Sequence, residues 1–229
     1  QEQLIRRLNE TGKPTVVIII SGRPLSVRYA AEHVPAIVNA WEPGQYGGQA
    51  IAEILYGKVN PSAKLAMTMP RHAGQISTWY NHKRSAFFHP AVCTDNTPLY
   101  PFGYGLSYTT FRYTNLQLSR SSIPNDGKTP ITARVTIENT GNRDGVEICQ
   151  LYINDVVASV ARPVKELKDF HRVALKAGEK RTIEFTIMPD KLAFYDINLK
   201  PIVEPGTFEV LVGGSSRDED LQKATFNVQ

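Results

Sequence analysis

Residues Leu99 to Phe111 read LYPFGYGLSYTTF, and this stretch divides the chain into two differently patterned parts. Upstream, apolar runs alternate with amphipathic helical patterns. Downstream, short alternating strands follow one another with turn residues between them. The stretch itself, crowded with aromatics and broken by Gly103 and Gly105, reads as neither helix nor strand. It reads as a packed hinge, in which the glycines give backbone freedom and the rings give buried area.

Working upstream, Thr15–Ser21 (TVVIIIS) is β-branched and apolar on both faces, the pattern of a central parallel strand. Gly22-Arg23-Pro24 turns the chain into a short helix over Leu25–His33, and a second strand follows at Ala36–Trp41. A turn at Glu42-Pro43-Gly44 leads to a helix over Tyr46–Tyr56, with Ala50, Ile51, Ile54 and Leu55 on one face and Gly57 as its stop. A third strand is expected at Leu65–Met69. With the helical pattern of Leu4, Ile5 and Leu8 ending at Gly12, the order is helix and strand in alternation, hence helices layered on a mostly parallel sheet.

In such sheets ligands sit outside the strand C-terminal ends. Here those ends carry Ser21-Gly22-Arg23 and Trp41-Glu42-Pro43-Gly44. The pair Gly47-Gly48 lacks the P-loop lysine and the dinucleotide spacing, so close helix-to-sheet packing explains it better than a phosphate. From Arg71 to Pro98 periodicity fades. His72, His82 and His89 fall here without metal-ligand spacing, so no metal site is expected. The segment reads either as an aromatic loop covering a groove or as a plain surface loop.

Downstream, strands are expected at Leu116–Leu118, Ile131–Glu138, Glu147–Asn154, Lys165–Leu175, Lys180–Ile187, Ala193–Tyr195, Gly206–Val212 and Ala224–Val228. In the second of these, Ile131, Ala133, Val135 and Ile137 alternate with polar residues, giving one buried and one wet face. Strands of this number and spacing make an immunoglobulin-like sandwich, an architecture with no chemistry of its own.

The 229 residues suffice for one large or two ordinary domains. Lys plus Arg number 26 against 22 Asp plus Glu, a formal charge of +4. The surplus is scattered, and its densest spots (Arg6-Arg7, Lys83-Arg84) are dipeptides, so no nucleic-acid partner is expected. The longest apolar run, Val16–Ile20, is far short of a membrane span, so no membrane partner is expected either. Cys93 and Cys149 fall in different parts and read as free thiols. Gln1 opens directly into a helical pattern, which suggests a piece of a longer protein.

Several segments together resemble the C-terminal portion of glycoside hydrolase family 3. They are GKPTVVIIISGRPL (Gly12–Leu25), AWEPGQYGGQAIAEILYGKVNPSAKLAMTMPR (Ala40–Arg71) and the aromatic stretch itself. ENTGNRDGVEICQLYIND (Glu138–Asp155), RPVKELKDFHRVALKAGE (Arg162–Glu179) and EPGTFEVLVGGSS (Glu204–Ser216) follow in the family's order. The match is close to the bacterial periplasmic β-glucosidase branch.

The resemblance implies a partial doubly wound α/β sandwich over residues 1–98, the hinge over 99–113 and a fibronectin type III-like β-sandwich over 114–229. It implies a retaining exo-acting β-glycosidase, a β-glucosidase first and a β-xylosidase next, acting on terminal non-reducing β-D-glycosyl residues. It also implies a missing N-terminal barrel domain, a β-linked glycoside or oligosaccharide as substrate, no cofactor, and a periplasmic or secreted location.

Retaining glycosidases need a carboxylate nucleophile and a second carboxyl about 5 Å away. By the resemblance, the nucleophile belongs to the missing barrel and the acid/base to a segment preceding Gln1–Leu8, so no catalytic residue falls in this chain. The candidate substrate-binding residues are Trp41, Glu42, His82, Lys83 and Arg84. Glu42, in the crevice beside an aromatic, is also weighed as a replacement acid, against a turn carboxylate favoured near a helix N-terminus. Trp41 is weighed as a sugar platform against core packing. Family members carry a Gly-Arg just beyond His82; here the text is Lys83-Arg84-Ser85-Ala86-Phe87-Phe88, which puts that loop's substrate role in doubt. The alternative function is a non-catalytic carbohydrate-binding or structural module. Its candidate aromatics (Phe170, Phe194, Tyr195, Phe208) alternate with apolar neighbours and read as buried.

Overall fold

A computed structural model describes residues 1–75, 78–84 and 97–229. The first part opens with α1 (Glu2–Glu10), then β1 (Val16–Ile20), α2 (Arg28–His33), β2 (Ala36–Trp41) and α3 (Gly47–Leu55). β1 and β2 pair in parallel from Val16↔Ala36 to Ile20↔Trp41, forming a two-stranded sheet. Ile19, Ala30 and Val34 are buried, whereas Val16, Ile18 and Ile20 remain 43%, 38% and 64% exposed. The all-apolar strand is therefore covered on one face only.

The third strand expected at Leu65–Met69 does not form. Its backbone pairs instead with the aromatic stretch: Leu65 N–H donates to Tyr104 O at 2.8 Å, and Gly103 N–H donates back to Leu65 O at 2.7 Å. Met69 N–H donates to Tyr100 O at 2.8 Å and Leu99 N–H to Met69 O at 2.9 Å. The backbone groups of Leu65 and Met69, at the two ends of the expected strand, are thus committed to the hinge and not to the β1–β2 sheet.

The second part holds β3 (Phe111–Leu118), β4 (Ser122–Ile123), β5 (Ile131–Asn139), β6 (Gly145–Asp155), β7 (Glu166–Leu175) and β8 (Lys180–Ile187). β9 (Phe194–Tyr195), β10 (Pro201–Ile202), β11 (Gly206–Gly213) and β12 (Leu221–Val228) complete it. A five-stranded sheet ordered β4-β12-β11-β6-β7 faces a three-stranded sheet β3-β5-β8, and β9 pairs with β10. Between the sheets Ile131, Ala133, Val135 and Ile137 of β5 meet Cys149, Leu151 and Ile153 of β6, with Phe185, Phe208, Val210 and Phe226. The expected wet face of β5 is present, since its alternate residues are half-buried or exposed.

Two of the aromatics read as buried are not. Phe194 and Phe208 are in the core, but Phe170 and Tyr195 are exposed. The β6–β7 register shifts between Leu151 and Tyr152. Phe170, opposite Gln150, lies before that shift, and alternation from buried Val173 and Leu175 puts it on the outward face of an edge strand. In the short β9 strand, adjacent residues point to opposite faces, so burying Phe194 turns Tyr195 to solvent.

Candidate functional site

The parallel strand ends form one cluster. Ser21 N–H donates to Trp41 O at 3.0 Å, carrying the β1–β2 ladder one step past the strands. Ser21 Oγ donates to Arg23 O at 3.1 Å and curls the exit loop. Trp41 turns the chain with φ of +51°, a left-handed conformation that a bulky side chain rarely adopts. This costs about 1–3 kcal/mol, which the surrounding structure must offset for the turn to persist. The indole is half-buried, and exposed Glu42 follows it. Glu42 folds back over Gly22, where an added Cβ would lie 2.7 Å from Oε1, a contact the exposed carboxylate could relieve by swinging away. At the start of α3 an added Cβ on Gly47 would lie 2.5 Å from Pro43 Cγ, so the close approach is to the preceding turn and not to the sheet, and Gly48 has open space around it.

The other candidates lie elsewhere. Val164 N–H donates to His82 O at 3.0 Å, and Lys83 bridges Pro163 in antiparallel fashion. His82 is half-buried with Nδ1 3.1 Å from Lys83 O, while Lys83 and Arg84 are exposed. The structure thus brings Trp41 to Glu42, and binds His82, Lys83 and Arg84 to the sandwich. Ser26 Oγ donates to Arg71 O at 2.7 Å, joining the β1 exit loop to the segment that leads toward His82. His89, Cys93 and Ser85–Phe88 lie outside the described residues. Cys149 is a free, buried thiol, pushed up by burial first and then by the Glu147 charge. Among the described residues no three His, Cys, Asp or Glu side chains group as metal ligands.

The aromatic stretch turns out to be a weld between the two parts. Gln150 donates from Nε2 to Gly103 O at 3.1 Å and to Gly214 O at 2.7 Å. Gly103 has φ of +77°, and an added Cβ would collide with Gln150 Oε1. Ser216 donates to Phe102 O from both N (3.0 Å) and Oγ (2.8 Å). Tyr80 stacks on Phe102 at 4.3 Å and meets Tyr152 edge-on at 5.8 Å. Asn60 ties the weld further: its Oδ1 accepts from Ser107 Oγ and Tyr108 N, and its Nδ2 donates to Asp144 O.

Beneath the weld, Lys64 Nζ and Glu147 Oε1 approach to 3.2 Å, and Tyr113 OH donates to Glu147 Oε1 at 2.9 Å. Burial raises the Glu147 carboxyl above its usual range, opposed by the Lys64 charge and the Tyr113 hydrogen bond.

A groove of about 950 Å³ opens beside the weld. Trp79, Tyr80, His82 and Arg84 line one side of it, and Asn154, Glu209 and Lys223 the other. Sequence reasoning missed Asn154 and Glu209. The available signal was the polar series Gln150, Tyr152, Asn154 on β6, which is outward-facing by alternation yet buried in the structure.

Compared with known proteins, residues 1–108 match the glycosyl hydrolase family 3 C-terminal domain, and residues 147–216 match a fibronectin type III-like domain. The chain carries the C-terminal domain of glycoside hydrolase family 3, followed by a fibronectin type III-like domain. It is 42% identical to a β-xylosidase of Formosa agariphila over all of its own length and 32% of that protein's. It is also 42% identical to a periplasmic β-glucosidase of Salmonella typhimurium, over 94% of this chain and 29% of that one. A solved β-glucosidase from Erythrobacter marinus superposes with a TM-score of 0.94 at 42% identity, covering 99% of this chain and 30% of that one. A β-glucosidase from Listeria innocua in complex with glucose gives 0.91 at 38% identity, over 99% of this chain and 32% of that one. The chain therefore spans about a third of the length of the family 3 proteins it matches. No helix of the described residues is long and apolar enough to cross a membrane.

Proposed function

We propose that this chain is the C-terminal part of a retaining, exo-acting β-glycosidase, a β-glucosidase first and a β-xylosidase next. The observation that carries the reading is the match, along 94% or more of the chain, to a β-xylosidase and a periplasmic β-glucosidase about three times its length. Residues 1–98 then belong to an α/β domain, 99–113 to the connecting weld and 114–229 to a fibronectin-like buttress. The β1 and β2 ends, with Trp41 and Glu42, wall one side of the cleft, and His82, Lys83 and Arg84 stand at a more distant rim. A periplasmic or secreted location accompanies the reading.

Retaining hydrolysis requires two carboxyls about 5 Å apart, one attacking the anomeric carbon and one protonating the leaving oxygen. In the loops at the two strand ends, residues 21–23 and 41–44, Glu42 is the single carboxylate. In this reading the nucleophile and the acid/base come from the remainder of the longer protein, and Glu42 contacts substrate without taking a proton. The test is hydrolysis of aryl β-glucoside and β-xyloside by this chain and by the longer protein. The chain should be inert and the longer protein active. Turnover by the chain that is lost on Glu42→Gln would overturn the assignment of catalysis to other segments.

A further inference from the structure

The weld is a ladder of two near-repeats. On one side Tyr100-Pro101, Phe102-Gly103 and Tyr104-Gly105 set an aromatic ring before a turn residue three times over. On the other, Leu65, Met67 and Met69 recur at every second residue. Backbone bonds hold the two sides together from Leu65 with Tyr104 to Met69 with Tyr100. A slip of two residues exchanges ring for ring and apolar side chain for apolar side chain, so this pattern specifies its register weakly. The bonds from the sandwich do not resolve it. Gln150 donates to Gly103 O and Ser216 to Phe102 O, and every residue offers such an oxygen.

Lys64 is the residue that a slip cannot replace. Its Nζ donates to Gly105 O at 3.1 Å and approaches Glu147 Oε1 to 3.2 Å, so one ammonium ties both sides of the ladder to β6. Gly105 allows that approach, since an added Cβ there would lie 2.5 Å from Ala63 O. Glu147 stands on the inward face of β6 with Cys149, Leu151 and Ile153, a carboxylate at a core position whose side chain is 4% exposed. Among the described residues this is the single ion pair that joins residues 1–98 to residues 114–229. Two residues along, Ser62 or Ala66 would take the place of Lys64, and Gly145 or Cys149 that of Glu147. None of them supplies the missing charge. Each slipped seat therefore parts a buried carboxylate from its cation, which is strongly destabilising.

We propose that Lys64 and Glu147 are the register key of the weld, positioning residues that admit one seat of the 62–69 segment on the sandwich and reject the seats two residues away. The groups facing Glu147 are Lys64, Tyr113 on β3, Cys149 on β6 and Asp220 just before β12, with Glu219 lining the same cavity. Burial, the leading influence, pushes the Glu147 carboxyl up, and the Lys64 charge and the Tyr113 hydrogen bond oppose it. A pair whose burial outweighs its attraction adds little stability; it acts by penalising the seats in which its charges part. In those seats the carboxyl loses Lys64 and holds its proton more tightly still, so acid favours them.

The test follows the amides of Leu65, Gly103 and Tyr104 in the isotope-labelled 229-residue chain, with those of β5 as a control for the fold. Glu147→Gln and Lys64→Met each leave one buried partner alone, and hydrogen exchange at Leu65 and Gly103 should quicken about tenfold or more. In the double variant the denaturant midpoint should recover to the wild-type value or rise above it, while the three amides should give two sets of signals in place of one. A double variant with a recovered midpoint and one set at the wild-type positions would overturn the key. So would single-variant effects that simply add. If a variant does not fold, the wild-type chain decides the matter. Acidification through the Glu147 midpoint, which lies above 4.5, should bring out the second set reversibly. A single set on both sides of that midpoint would overturn the proposal.

Discussion

The sandwich and the α/β part handle the same problem, an apolar strand, in opposite ways. In the sandwich, β5 is sealed on its inner face by β6, β11 and β12 and shows polar residues outside. In the α/β part, β1 is apolar throughout but covered on one face, and α1 carries exposed Leu4 and Leu8 with no buried residue of its own. Parallel sheets are normally covered on both faces. The sandwich therefore closes its own core, and the α/β part presents a surface shaped to be covered. The proteins that match it, about three times as long, have chain to spare for that purpose.

The largest test of this contrast is a pair of truncations. Phe185→Ala, in the sealed core, should cost about 3–5 kcal/mol in denaturant unfolding of the sandwich. Ile20→Ala, on the open face, should cost less than about 1 kcal/mol in this chain. A smaller effect is expected at the weld. Gly103→Ala demands a left-handed alanine and displaces Gln150, which should cost about 2 kcal/mol and speed proteolysis within residues 99–110.

Glu147 gives a pH signature. Its folded carboxyl is raised above 4.5 by burial, so the folded chain holds that proton more tightly than the unfolded chain. Its contribution is fully present below the unfolded value and is lost as pH rises through the folded one. The Glu147 share, read as the midpoint difference between the wild-type chain and Glu147→Gln, should accordingly fall as pH rises past 4.5, against the opposite trend of the carboxyls that ion pairs hold low, such as Glu138. The smallest effect belongs to the exposed cross-strand pair Arg134–Glu184, at 2.6 Å. Glu184→Ala should shift stability by less than about 1 kcal/mol, checked by the same midpoints.

Much of the sandwich was legible because alternation is a local signal: Ile131 to Ile137 name their own inner face. The short strands β4 and β10 were not, since two residues carry no period. Leu65–Met69 looked like a strand because local composition cannot say which backbone will accept its hydrogen bonds; here the aromatic stretch does. The strand-end pair Trp41 and Glu42 was readable from topology, but the +51° turn at Trp41 was not. Asn154 and Glu209 were hidden for a different reason. Their setting depends on residues 78–84 returning over the sheet, a contact far apart in sequence.

Hydrogen exchange on the isolated 229-residue chain tests the central claim most directly. The account predicts strong protection along β5, β6, β8, β11 and β12, and weak protection through α1, β1, α2 and β2. Uniformly high protection across residues 1–70 would contradict it, by showing that the α/β part closes its own core without the rest of a longer protein.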